Sequence, residues 1–336
     1  MWPEEDTTIV VDAVSARAAG SLRDASSNSS FTRKCNRLYA QEVKINSWAV
    51  FVLLLLSLPP GIAQKSAAFR VISWSPLRLE SGSPVFFKVE LDQPASALHG
   101  TWLKHEIVFT RAREDNRWYA LAGIDVEQAP GNYVLELTAT ATDGRPLQTK
   151  QEVAVLPAHY KSTTLHVEEK YVQPDAATLQ RIAADKAVKD AAFAHLISEP
   201  LWNGSFRSPV PFTATDSFGT RRMFNGELAS IHRGTDFHAP SGTPVLAAND
   251  GQVIIARPMF YEGNLVVIDH GQQFMTQYMH LSKIEVKVGD RVSKGQRLGL
   301  SGATGRVTGP HLHLGARWGG ESVDPVILLR LPLPTR

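Results

Sequence analysis

Five residues in the last third of the chain have types and spacings suited to metal chemistry. Three residues separate His232 from Asp236, one separates His311 from His313, and His280 lies between the two pairs. Gly234, Thr235 and the run Ala239-Pro240-Ser241-Gly242 argue against a helix around the first pair, which predicts a loop or strand end there. In a strand, residues i and i+2 face the same way, so His311 and His313 address one site while Leu312 points into the core. Phe274, Thr276, Tyr278 and His280 recur with period two, which predicts one shared face for all four. Neutral imidazoles with one carboxylate form the ligand set that zinc takes when no thiolate is available. Three protein ligands leave a fourth position to water, whose pKa the ion lowers towards about 7. Alone, an H-x-H or an H-x-x-x-D is a weak signal, and spacing leaves open which histidines bind metal. The two together in one β-rich stretch, with another histidine between them, are a stronger signal.

Composition narrows the chemistry further. The single cysteine, Cys35, excludes an internal disulfide framework and any multi-cysteine metal site. Lys and Arg number 35 against 33 Asp and Glu, a net charge of +2. So even a balance gives no electrostatic reason to expect a nucleic-acid partner. A length of 336 residues allows two domains, each large enough to bury a core.

The elements that must position these residues are mainly β. Residues 68–156 predict an N-terminal Ig-like β-sandwich. Val85, Phe87, Val89 and Leu91 alternate there as in a half-buried strand, and so do Tyr133, Leu135 and Leu137 after the turn Pro130-Gly131-Asn132. Residues 157–210 form a linker with one helix, opened by Pro174-Asp175 and carrying an apolar stripe of Leu179, Ile182, Ala183, Phe193 and Leu196. Residues 211–330 form a C-terminal β-rich domain. Upstream, the apolar run 48–58 is too short for a bilayer, which needs about 20 residues, and it fits a signal peptide over 43–63, with Lys44 before it and Gly61 and Ala63 after it. Export to a periplasm or out of the cell follows, with no integral membrane span in the mature chain. Residues 1–42 are assigned no fold, being either a long leader or sequence upstream of a start at Val43.

The C-terminal motifs resemble the M23 (lysostaphin/LytM-type) family of zinc metallopeptidases. The matching stretches are Ser217-Phe218-Gly219-Thr220-Arg221-Arg222 with Asn225-Gly226, then IHRGTDFHAPSGTPVLAANDGQV from Ile231 and GNLVVIDHG from Gly263. TQYMHLS from Thr276, VGDRVSKGQRLGLSGATGRVTGPHLHLG from Val288 and Val323-Asp324-Pro325 complete them. The resemblance covers about a third of the chain. It implies a LytM-like catalytic domain holding one zinc ion per chain through His232, Asp236 and His313. It also implies His280 and His311 as catalytic histidines, and a peptide bond in peptidoglycan stems or cross-bridges as substrate. His311 is the choice for general base, although the two roles can be exchanged.

His238 is set aside as peripheral and His270 as structural. Tyr278 divides evenly between a pocket wall or oxyanion helper and packing. Arg221-Arg222 is read as a solvated or fold-supporting pair, and His99 and His105 as surface or satisfied core residues. The main alternative is a non-catalytic wall-binding module that activates another hydrolase; a complete set of five residues argues against it. Residues 288–296 also resemble a biotinyl or lipoyl carrier hairpin, but the Met-Lys-Met tip is missing. The N-terminal sandwich is a candidate for contact with the wall or a divisome-type partner.

Overall fold

A computed structural model describes residues 68–335 apart from 113–115, 166–174, 195–196, 215–216, 225–226 and 308. The expected signal segment 43–63, Cys35, Pro174 and Leu196 lie outside the described residues. The first part is all strand: β1 (Phe69–Ser75), β2 (Leu79–Glu80), β3 (Pro84–Leu91), β4 (Ala95–Trp102), β5 (His105–Val108), β6 (Thr110–Arg111), β7 (Arg117–Gly123), β8 (Gly131–Ala141) and β9 (Pro146–Leu156). β10 (Ser162–Leu165) and α1 (Ala176–Phe193) lead to β11 (Arg221–Phe224), β12 (Glu227–Ile231), β13 (Gly234–Phe237), β14 (Pro244–Leu246), β15 (Gly251–Met259), β16 (Gly263–Asp269) and β17 (Phe274–Leu281). β18 (Lys283–Ile284), β19 (Arg291–Val292), β20 (Arg297–Leu300), β21 (Leu312–Trp318), β22 (Glu321–Val323) and α2 (Pro325–Arg330) complete the chain. The protein is mainly β.

The early strands form two sheets, ordered β1-β3-β7-β6 and β2-β9-β8-β4-β5. They meet where Phe87 of β3 lies edge-on to Trp102 of β4, ring centres 5.5 Å apart. β8 alternates as expected, with Leu135 and Leu137 buried and Val134 and Glu136 exposed. β3 does not: Phe86, on the outward face, is as buried as Phe87. It stacks on Tyr119 and meets Trp202 of the later chain edge-on at 6.2 Å. The outer face of that sheet is covered by the later half of the chain, so strict alternation fails there.

The C-terminal half is built on an antiparallel sheet ordered β13-β21-β17-β16-β15-β19, with β22 beside β21. One face carries Phe274, Tyr278, Leu312, Leu314, Ala316 and Trp318, all fully buried in the main core. The other face carries Met275 and Met279, which form a smaller cluster with Leu265 and Val267. α1 covers part of this second face through Val188, Ala192 and Phe193. Its expected stripe is corrected at the N-terminal end, where Leu179 is 44% exposed and Ala183 lies in solvent. Polar anchors set the docking instead: buried Asp185 accepts a hydrogen bond from Phe260 N at 2.7 Å, and Lys189 pairs with buried Glu262 at 2.6 Å. Hydrophobic spacing cannot register such anchors. Among the described residues no helix is long and apolar enough to cross a membrane.

The two halves share a polar seam. The Gln272 side chain accepts from Leu121 N and from Trp202 Nε1, each at 3.2 Å, and donates to Val108 O at 3.1 Å. His105 is no isolated surface group, since it lies 3.3 Å from Glu321 and packs on the Trp318 ring.

His270 is buried with both ring nitrogens engaged, Nδ1 donating to Asp250 O and Nε2 2.7 Å from Thr276 Oγ1. Burial pushes its pKa down to about 4. Because the unfolded chain binds this proton near 6.5 and the folded chain only near 4, stability falls as pH drops through that window. In thermal melts from pH 7 to pH 4, the wild type should lose about 3 kcal/mol more than His270→Gln. Parallel curves would contradict the assignment.

Candidate metal centre and its flanking histidines

Asp236 and His313 face each other directly across the β13–β21 pairing. His313 Nδ1 lies 3.0 Å from Asp236 Oδ1 and 3.0 Å from His232 Nε2, and His232 Nε2 lies 3.4 Å from Oδ1. Zinc bound tetrahedrally at about 2.0–2.1 Å needs its ligand atoms about 3.3 Å apart, so these three atoms form the base of such a site. They form a group of metal-binding types within 4.8 Å of one another. His232 follows β12 and is turned by Ser217, whose carbonyl accepts from His232 Nδ1 at 2.9 Å. That bond holds the proton on Nδ1 and the lone pair on Nε2, the nitrogen facing the other two residues. Ser217 Oγ also accepts from Asp236 N at 3.2 Å. Burial acts to raise the Asp236 carboxyl, but His232 and His313 in their protonated forms outweigh it through hydrogen bonds and charge and hold the group well below the usual carboxylate range.

The structure brings the other two histidines to the same place. The His280 and His311 rings are 4.9 Å apart, and His280 is 6.0 Å from His313. His311 Nε2 lies 3.8 Å from Asp236 Oδ1. Each has its Nδ1 proton held by a carbonyl, Thr304 O at 3.0 Å for His280 and Gly309 O at 2.8 Å for His311. Both therefore carry the lone pair on Nε2.

The expected face of His280 is corrected. Period two puts it beside Tyr278, in the core. Instead β16 and β17 pair Asn264 with Leu281 but Val266 with Tyr278, a β-bulge that gives β17 an extra residue. His280 sits at the bulge with φ +63°, and its ring turns to the Gln277 and Met279 face. Bulges beside sites commonly re-aim one side chain in this way. Tyr278 stays behind as a packing residue, its hydroxyl accepting from Ala248 N at 2.8 Å and burial pushing its pKa up to about 12. His238 is exposed, and Arg221 and Arg222 lie on β11.

Two glycines shape the site. A Cβ on Gly234 would lie 2.3 Å from His313 Nε2, so only glycine lets β13 pass behind that ring. Gly263, at φ +63°, lies so close to Thr304 that a Cβ would meet its carbonyl at 2.4 Å. Thr304 fixes the His280 tautomer, and Ser217 fixes that of His232. Sequence reasoning named neither as a site residue, although both fall inside the quoted motifs; neither type signals chemistry when read alone.

The model for peptidase family M23 matches residues 230–325. Over 100 residues the chain is 63% identical to the peptidoglycan DD-endopeptidase ShyA of Vibrio cholerae, covering 30% of this chain and 23% of that protein. It is 47% identical over 110 residues to the peptidoglycan DD-endopeptidase ShyC of the same organism, covering 32% and 25%. The matched part thus spans about a quarter of these relatives' length. A crystal structure described as an M23 peptidase from Pseudomonas aeruginosa superposes with a TM-score of 0.58 at 29% identity, covering 75% of this chain and 95% of that one. That likeness extends well beyond residues 230–325, into the strands that precede them.

The Gly234 contact yields a test. Gly234→Ala should weaken zinc binding at least tenfold while lowering stability by about 1–3 kcal/mol. Zinc titration and thermal melting of the same preparation check both; unchanged affinity would mean that the His313 ring is held by something other than this close approach.

Proposed function

We propose that this chain, whose residues 230–325 match the model for peptidase family M23, is an exported zinc-dependent endopeptidase cleaving peptide bonds of peptidoglycan stems or cross-bridges. One observation carries the reading: three atoms of ligand type at tetrahedral spacing, flanked by two histidines whose tautomers are fixed with Nε2 as acceptor. His232 Nε2, His313 Nδ1 and Asp236 Oδ1 would hold the ion. Zinc bound there supplies Lewis acidity, lowering the pKa of a bound water to about 7 and polarising a carbonyl. His311, 3.8 Å from Asp236, is the group to take the water's proton on Nε2. His280, across from it, would act in its imidazolium form, with Nδ1–H still held by Thr304 O and Nε2–H stabilising the oxyanion or giving a proton to the leaving amine. The names of the relatives support peptidoglycan as substrate and an envelope location, with residues 43–63 serving export. The sandwich of residues 68–156 is the part free to engage the wall or a protein partner.

Elemental analysis of the full chain, paired with digestion of purified peptidoglycan with and without chelator, tests the reading. About one zinc per chain and chelator-sensitive release of new amino groups are expected. Zinc without any release would favour a wall-binding role instead. His313→Ala and Asp236→Ala should lose metal and activity together, since an open three-ligand site has none to spare. His280→Ala and His311→Ala should keep the metal and lose about 10²- to 10⁴-fold in rate. Loss of metal from His311→Ala would reverse the roles within the H-x-H pair.

A further inference from the structure

The turn that joins β15 to β16, residues 260–262, is gripped from two sides. On one side α1 reaches it with two side chains a helical turn apart: Asp185 accepts from Phe260 N at 2.7 Å, and Lys189 pairs with Glu262 at 2.6 Å. Arg181, one turn earlier, lies over the Phe260 ring at 5.4 Å. On the other side the turn holds the backbone around His280. Glu262 O accepts from His280 N at 2.8 Å, and Tyr261 O accepts from Arg306 N at 2.9 Å. Thr304, whose carbonyl accepts from His280 Nδ1, is itself tied to the strand after the turn, its Oγ1 accepting from Asn264 N at 2.9 Å. The same short hairpin thus bears on both the main chain and the ring of His280.

The grip serves position more than adhesion. The Lys189–Glu262 pair is withdrawn from water, with side-chain exposures of 14% and 1%. Such a pair gains little over apolar residues of the same volume, because desolvation offsets the attraction. Val188, Ala192 and Phe193 already dock the helix on the Met275 and Met279 cluster. What directional anchors add is register. His280 needs it, because φ +63° in a non-glycine residue persists only where the surroundings over-determine it. We propose that Asp185 and Lys189 of α1 are positioning residues for His280, acting through the turn 260–262 whose Glu262 carbonyl holds the bulge. The rate effects expected of them rest on the endopeptidase reading above. The linker helix is on this account a working part of the site, although none of its side chains touches the reacting atoms.

The test uses the full zinc-loaded chain and a soluble cross-linked stem-peptide dimer as substrate. Lys189→Met and Asp185→Ala should each lower kcat by about 10- to 100-fold, with KM within about twofold and zinc content unchanged. Asp185→Asn, which keeps an acceptor oxygen for Phe260 N, should recover most of the rate. Lys186→Met, which breaks only the exposed pair with Asp190 on the same helix, should leave it unaltered. The deciding comparison places Lys189→Met in a His280→Ala chain, where it should cost nothing further because the group it positions is gone. The same fold-loss in both backgrounds would overturn the proposal, since a merely structural helix predicts that result. Should Lys189→Met fail to fold, as melting would reveal, Asp185→Ala in the same two backgrounds carries the comparison. A readout independent of turnover comes from chain labelled with ¹⁵N-histidine, in which the signal absent from His280→Ala identifies the ring. Its neutral form should be protonated on Nδ1 in the wild type and become a mixture of tautomers in Lys189→Met and Asp185→Ala; an unaltered tautomer would overturn the proposal. A zinc-loaded wild type that cleaves nothing would overturn the endopeptidase reading, while the tautomer still decides the positioning role.

Discussion

The register of β13 against β21 is the constraint on which the site depends. It sets Asp236 opposite His313, so a carboxylate and an imidazole leave adjacent strands on one face, 3.0 Å apart at their tips. A slip of one residue would turn His311, His313 and Arg317 into the core and expose Leu312, Leu314 and Trp318. Those apolar residues, each fully buried, make the slip costly: exposing them forfeits roughly 1.5–3 kcal/mol apiece. The position of the ligand atoms is thus fixed by the opposite side of the sheet. His232 is the exception, since it arrives from outside the sheet and needs Ser217 to aim it.

Much of this was legible in the sequence, because the rules that govern it are local. Alternation along β8 and the i, i+2 relation of His311 and His313 read directly. What was not legible came from contacts between distant segments. Phe86 reads as a solvent-facing strand residue until Trp202, more than a hundred positions later, covers it. The α1 stripe reads as a hydrophobic docking face, yet Asp185 and Lys189 hold the helix through a backbone N–H and a buried carboxylate. His280 reads as a neighbour of Tyr278 because period two contains no bulge. Each miss is a case of tertiary contact overriding a local pattern.

The seam between the sandwich and the C-terminal sheet reaches the candidate site itself. Gln272, at φ +52°, satisfies Trp202 and two strands of the sandwich with one amide. Val126 N donates to Ser322 O, and Ser322 N donates to Asp125, the residue that also faces Arg233 next to His232. With Val323 packed where Gly123 leaves no side chain, the two halves interlock within a few residues of the candidate metal centre. A shift of the sandwich would therefore move Arg233 and the strand ends that carry His232.

The bulge at His280 has a consequence for how this chain can change. A non-glycine residue held in the left-handed region costs about 1–2 kcal/mol. Glycine at that position would relieve the backbone, yet it would remove the imidazole that the bulge exists to present. Laboratory evolution that rewards thermal endurance alone should drift to glycine or asparagine at position 280, and lineages that keep histidine there reveal that turnover is what selection has been measuring.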